Sequence, residues 1–184
     1  MSPIESAGVL LSAGGVFLET QRVVLCWPIN IMAAGCYFYI FGEQHLYADA
    51  ALQLLFISLS LYGWVMWRRK PPIASGPTPA RRWFIVQCCG MLFAGRLLGV
   101  ALSRWSSDPA PYADAMLTAS SILATYWMAQ RLRQAWLVWI ITNGAYVVLF
   151  LSRGLDATAA LYGGFMLLAI YGWFKWGFNR DVAT

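Results

Sequence analysis

Slid against itself by 109 residues with no gap, the sequence meets its own pattern. Trp27 falls on Trp136, Gly35 on Gly144, Tyr37 on Tyr146, Phe41 on Phe150, Leu46 on Leu155 and Phe56 on Phe165. The triplet Tyr62-Gly63-Trp64 falls on Tyr171-Gly172-Trp173, and Trp67 on Trp176. From Arg22 to Trp67, 17 of 46 positions are identical. Two apolar segments share letters by chance, but they do not share Tyr-Gly-Trp-x-x-Trp and a distant Trp/Tyr pair in one register. The chain is therefore built twice from one unit. The register also runs upstream, where Gln21-Arg22 falls on Gln130-Arg131 and Ser12 on Ser121, so Glu5–Thr20 pairs with Asp114–Ala129.

The unit is apolar. Charged residues make up 11% of the chain against 60% hydrophobic, where soluble domains carry about 25% charged. Thirteen basic and eight acidic side chains do not cover a soluble surface of this size, and the apolar content excludes disorder. Six runs, near Leu25–Phe41, Leu46–Trp67, Trp83–Leu102, Ala115–Met128, Trp136–Leu151 and Leu155–Trp176, each suit a bilayer-crossing helix. A shorter run, Ala7–Leu18, lacks the basic flank of a leader peptide, and its repeat partner makes it a helix as well. The expected fold is all-α and integral to the membrane. It has seven transmembrane helices in a 3+1+3 order: a first three-helix repeat at 5–67, a loop at 68–82, a linker helix at 83–102 and a second repeat at 114–176. The repeats start four crossings apart, so they share one orientation and are related by an axis along the membrane normal.

The net charge of +5 is a topology signal here, and nothing in the sequence points to nucleic acid. Arg22, Arg68, Arg69, Lys70, Arg81, Arg82, Arg131, Arg133, Lys175 and Arg180 fall on one side of the seven crossings, Arg104 and Arg153 on the other. The positive-inside bias puts the N-terminus outside and the C-terminus in the cytoplasm. Arg96 is the charge left inside a helix, where it snorkels to the interface or serves as a gate or subunit contact. Gly95 and Gly99 beside it form a small-xxx-small pair that suits an oligomer or inter-repeat contact.

Cys26, Cys36, Cys88 and Cys89 lie in apolar runs and read as small buried hydrophobes. One histidine, His45, is no basis for a metal site, and no cofactor is implied. Carboxylates stand at helix ends or in loops, with none at mid-membrane depth. Coupled carriers usually keep ionisable groups there, so the pattern suggests uncoupled, facilitative transport. No acid, base and nucleophile come together to suggest an enzyme.

The informative residues are uncharged polar ones at membrane depth: Asn30, Gln53, Gln87, Thr118, Ser121, Asn143 and their hydroxyl neighbours. Serine and threonine often satisfy themselves on the preceding turn; buried amides are harder to silence. Trp136, Trp139 and Asn143 fall within an arc of about 60° on one helix. Such a stripe is commonly packing, and Trp136 also suits an interfacial belt. Trp139 lies too deep for one. Its repeat mate is Asn30, and the mate of Asn143 is Ala34, so the centre has diverged inside a kept scaffold. Indole faces attract flat or cationic rings, and amides bond hydroxyls in either direction. Together they favour a planar heterocycle with a polar arm, such as a nucleoside or a vitamin.

These residues resemble the PnuC family of vitamin transporters, whose fold is related to that of the sugar-transporting SWEET proteins. The family's Trp-x-x-Trp-x-x-x-Asn/Asp motif stands here as Trp136-Leu-Val-Trp139-Ile-Ile-Thr-Asn143. Cys26-Trp27-Pro28, Leu52-Gln53, Tyr62-Gly63-Trp64 with Trp67, and the stretch from Thr118 to Thr125 resemble it too. The resemblance implies uptake of nicotinamide riboside across the bacterial inner membrane by facilitated diffusion. A cytoplasmic kinase would trap the entering substrate, and the assembly would be a homotrimer. By motif match it implies substrate contact by Trp139 and Asn143, with Trp136 shaping the site; Gln53, Gln87, Thr118 and Ser121 follow by segment position. Thiamine, riboflavin or a deoxynucleoside is the alternative cargo within the family, and a non-transporting membrane scaffold the alternative outside it.

Overall fold

A computed structural model describes residues 3–69, 80–105 and 110–181. Among them the chain forms seven helices: α1 (Pro3–Thr20), α2 (Cys26–Glu43), α3 (Tyr47–Arg69), α4 (Arg81–Trp105), α5 (Pro111–Ala129), α6 (Gln134–Ser152) and α7 (Asp156–Asp181). The short first run is thus a full helix. Most of the expected loop at 68–82, with Lys70 and its prolines, lies outside the described residues. Residues 49–69, 81–104, 134–152 and 156–177 are long and apolar enough to cross a membrane. The other helices, at 18 or 19 residues, are ~27 Å long, near the hydrocarbon thickness of a bilayer.

Four helix ends close in the same way, and they do so in repeat pairs. Arg22, His45, Arg131 and Gly154 have positive φ of 57°, 59°, 58° and 72°. Each sits one past the helix cap and donates to a carbonyl three back: Arg22 to Glu19, His45 to Gly42, Arg131 to Met128 and Gly154 to Leu151. The next residue reaches five back, Val23 to Leu18, Leu46 to Phe41, Leu132 to Trp127 and Leu155 to Phe150, at 2.8–3.1 Å. These are Schellman closures, which satisfy carbonyls a helix end leaves orphaned. Tight closure lets successive helices run antiparallel through turns of three to five residues.

In order along the chain, α1 packs on α2, α2 on α3, α5 on α6 and α6 on α7; α4 packs on α5. The two halves meet where α3 touches α5 and α7 touches α1. Those seams are equivalent to the atom. Trp67 donates its indole N–H to the carbonyls of Met128 and Ala129 at 3.2 Å. Trp176, its mate, donates to those of Glu19 and Thr20 at 3.3 Å. The Arg131 guanidinium lies 4.8 Å from the Trp67 ring and donates to the Trp67 carbonyl at 3.1 Å. Arg22 lies 4.7 Å from Trp176 and donates to its carbonyl at 3.3 Å. Burial pulls the Arg131 pKa below its ordinary value, and the aromatic face and carbonyl compensate part of that desolvation. The core is this layer: Trp27, Trp67, Trp127, Trp136 and Trp176 with Cys26, Met128 and Ala135.

Gly95 and Gly99 seat α4 on α5. A Cβ at Gly95 would lie 2.3 Å from the Met116 sulfur, and one at Gly99 2.6 Å from the Tyr112 ring. The small-xxx-small pair is thus filled within the chain, and a contact between subunits is not its use. Arg96 beside it is exposed, its guanidinium 6.0 Å from the Tyr112 ring.

Candidate functional site

Helix α6 carries the tryptophan motif, and the structure separates its two indoles. Trp136 is 1% exposed. Its ring stands edge-on to Trp176 at 5.5 Å and 87°, and it lies against Gly172, where an added Cβ would come within 2.6 Å of the indole. Its mate Trp27 repeats this against Trp67 at 5.3 Å and 87°, with Gly63 as the matching close approach. Trp136 is therefore enclosed by α7, not set at a lipid interface. Trp139, one turn on, is half-buried against the same core. Asn143 follows after another turn and is buried.

Hydroxyls gather opposite this face. Thr142, buried beside Asn143, donates to the Ser120 hydroxyl at 2.9 Å. Tyr146 hydrogen-bonds Ser121 and Thr118, and Ser121 also donates to the Leu117 carbonyl at 2.9 Å. The α5–α6 seam thus joins Thr118, Ser120 and Ser121 to Thr142 and Tyr146, and helical spacing puts Trp139 and Asn143 on the same side of α6 as Thr142 and Tyr146. Their common signal was available: helical spacing puts Thr118, Ser121 and Thr125 on one face of α5. The arrangement offers one indole, an amide and several hydroxyls, and no acid or base for proton transfer.

The remaining candidates stand apart. Gln87 on α4 accepts a hydrogen bond from the Trp127 indole at 2.9 Å. It lines a cleft of about 470 Å³ between α4 and α5 with Gly90, Met91, Ala94, Ala119 and Tyr126, on a different face of α5 from Thr118 and Ser121. Gln53 on α3 is half-buried, and its repeat mate is Tyr162, packed on Tyr146 at 4.6 Å. No described contact ties Gln53, Gln87 or Asn30 to the α5–α6 seam.

Asn30 leads to a residue that the sequence reading passed over. Its amide donates to a Glu19 carboxyl oxygen at 2.7 Å. Glu19 ends α1, as expected of a carboxylate in this chain, yet it is 7% exposed, inside the bundle. The amide sits where it does because residue 15 is glycine: a Cβ there would lie 1.8 Å from the Asn30 Oδ1. The repeat held the clue. The mate of Glu19 is Met128 and that of Asn30 is Trp139, so two touching positions diverged together.

The sequence profile described as nicotinamide mononucleotide transporter matches residues 2–177. The nicotinamide riboside transporter PnuC of Escherichia coli K12 is 27% identical over 96% of this chain and 85% of its own length. The protein of the same name from Neisseria mucosa is 23% identical over 80% of this chain and 61% of its own length. A crystal structure of the vitamin B3 transporter PnuC superposes with a TM-score of 0.76 at 18% identity, covering 98% of this chain and 83% of that one. That likeness establishes a shared helical fold.

Proposed function

This chain belongs to the nicotinamide mononucleotide transporter family, and on that premise we propose that it carries nicotinamide riboside across the bacterial inner membrane. The observation that carries the reading is the diverged centre. Trp139 and Asn143 stand where the first half has Asn30 and Ala34, on the side of α6 whose Thr142 and Tyr146 meet the α5 hydroxyls. A desolvated indole face suits the pyridinium ring, by about 0.5–2 kcal/mol. The amide and hydroxyls suit the ribose diol. The family description speaks of the mononucleotide, whereas the curated relatives are named for the riboside. The seam favours the riboside, because a phosphate asks for arginine or lysine and the side chains gathered there are neutral.

Trp139 and Asn143 contact the substrate in this reading, Trp136 holds α6 against α7 behind them, and Thr118 and Ser121 face the sugar. Gln53, Gln87 and Asn30 join at other stages of passage. The helices divide as 5–67, 83–102 and 114–176, two parallel three-helix repeats about one linker helix, in the manner of SWEET proteins. The N-terminus lies outside and the C-terminus in the cytoplasm, on the charge bias. Transport is facilitated diffusion: each half rocks against the other at the two equivalent tryptophan seams. A cytoplasmic kinase makes uptake net, since a phosphorylated product does not re-enter an uncharged site. The assembly is a homotrimer.

Titration of the purified protein with nicotinamide riboside and, separately, thiamine, followed by tryptophan fluorescence, tests the proposal. Saturable quenching by the riboside, absent in Trp139→Leu, is the expected result. A response to thiamine alone would retain the site and change the vitamin. Full uptake by both Trp139→Leu and Asn143→Leu would leave a membrane scaffold as the better reading.

A further inference from the structure

Six of the seven helices close a ring. In the order α1, α2, α3, α5, α6, α7 each packs on the next, and α7 returns to α1; α4 stands outside the ring, against α5. This order sets α2 opposite α6 and α3 opposite α7, and among the described residues neither opposite pair packs helix on helix. Side chains span the interior instead. At the end that carries Arg22 and Arg131, four indoles do so in one row. Trp27 of α2 meets Trp67 of α3 at 5.3 Å, Trp67 meets Trp176 of α7 at 6.1 Å, and Trp176 meets Trp136 of α6 at 5.5 Å. All four are at most 2% exposed, so the row shuts the interior at that level.

The row is not held evenly. Its two outer contacts are edge-to-face, both at 87°, an arrangement that aromatic rings prefer, and each lies within one half of the chain. The middle contact joins the halves. It is the widest of the three, is tilted at 46°, and is made between repeat mates. The Trp67 and Trp176 N–H groups do not tie it, because each bonds carbonyls at its own seam, on α5 and on α1. The two rings can therefore part at the centre while both seams keep their bonds. The end members favour such an opening. The Trp27 and Trp136 indole N–H groups are buried with no protein acceptor, a cost that falls when water reaches them.

Trp136 also puts this closure on the route. Trp139 and Asn143 follow it by one and two turns on the same arc of α6, so a cargo held by them has the row between it and the arginine-bearing end. We propose that the Trp67–Trp176 contact is the cytoplasmic gate of this carrier, and that the four-indole row opens and shuts as one unit to release the cargo inward. The inference rests on the reading of the chain as a carrier and deepens it; it does not depend on which vitamin is carried.

Cys26 supplies a native probe. It is fully buried beside Trp27 in the same cluster, whereas Cys89 is exposed. The purified full-length protein in detergent is treated with N-ethylmaleimide at fixed pH, and modification of each cysteine is followed by peptide mass spectrometry across a series of low denaturant concentrations. A gate gives Cys26 a local opening: without denaturant it should react faster than the protein unfolds globally, and the rate should change little as denaturant is added. Gly172→Ala pushes on Trp136 in the second half and removes no hydrogen bond. It should raise the rate at Cys26, in the first half, on the order of tenfold, and leave Cys89 within about twofold. Trp176→Phe, which keeps a ring but thins the row, should act in the same direction. If Cys26 reacts only as fast as global unfolding in wild type and both variants, or if neither variant moves its rate, the row is fixed core; the inference then falls and the riboside reading stands. A protein that binds no riboside yet opens locally at Cys26, with the variants acting as expected, keeps the gate and changes the cargo.

Discussion

Near the Trp67 and Trp176 seams the two halves of the chain make the same bonds to the same kinds of atoms. Away from them some pairs persist, such as the Tyr37–Ser12 and Tyr146–Ser121 hydrogen bonds, but several polar positions differ. In the first half Glu19, Asn30 and Gln53 stand where the second carries Met128, Trp139 and Tyr162; in the second, Thr142 and Asn143 stand where the first carries Ala33 and Ala34. Equivalent seams allow equivalent motion, because each half presents the other with the same packing. A diverged centre allows one asymmetric molecule to be gripped by unlike faces. The contrast assigns the tryptophan seams to holding the fold, and Trp139 and Asn143, which the first half lacks, to the cargo.

The largest effect expected from breaking the scaffold comes at its tryptophans. Trp67→Ala and Trp176→Ala each remove a fully packed indole with its hydrogen bonds. Large-to-small changes of this kind cost about 3–5 kcal/mol in protein cores. The two variants should lose closely similar amounts of thermal stability in detergent, measured by differential scanning fluorimetry, and both should lose uptake. A clear difference between them would mean that the seams are not energetically equivalent.

The next effect separates function from fold. Trp139→Leu and Asn143→Leu are expected to lower riboside uptake on the order of tenfold or more, while the melting temperature moves by a few degrees. At the mate of Asn143, Ala34→Leu should disturb packing and leave substrate affinity within about twofold. Affinity that falls as far at Ala34 as at Asn143 would contradict the division between scaffold and centre.

Most of this fold is written in pattern. Hydrophobic runs and a gapless repeat place all seven helices within a few residues of their ends, because membrane burial and helix length act locally. The repeat also marks Trp27 and Trp136 as equivalent, and the structure gives them one environment. What pattern does not carry is partnership across elements. Residue type and depth put Gln87 among the site candidates, but they do not show that it accepts the Trp127 indole N–H from a neighbouring helix. Glu19 reads as a helix-end carboxylate, and only the fold of α2 against α1 shows that it is enclosed. Ser120 and Thr142 become a pair only when α5 meets α6.

A smaller effect sharpens the asymmetry at a single methyl group. Gly15→Ala forces the Asn30 amide away from its seat and so loosens its hold on Glu19. The expected loss is a few-fold in the rate of riboside uptake, through the passage step that Asn30 serves, with overpacking of about 1–3 kcal/mol shared between stability and the displaced amide. Ala124→Gly, at the equivalent place, removes a buried methyl and costs about 1 kcal/mol of stability, leaving the uptake rate unchanged. Uptake by both proteins in proteoliposomes distinguishes the two; a rate loss in Ala124→Gly equal to that in Gly15→Ala would show that both positions act through general packing.

The smallest expected effect is none at all. In proteoliposomes with an imposed proton gradient, riboside should equilibrate to the same internal level in either gradient direction. The sequence places its carboxylates at helix ends or in loops, and Glu19, enclosed in the bundle, is held by the Asn30 amide. A proton-coupled carrier must take up and release a proton in each cycle, so its plateau would follow the gradient and E19Q would abolish that dependence. A plateau that ignores the gradient in both wild type and E19Q would mean that the enclosed acid takes no part in driving the cargo.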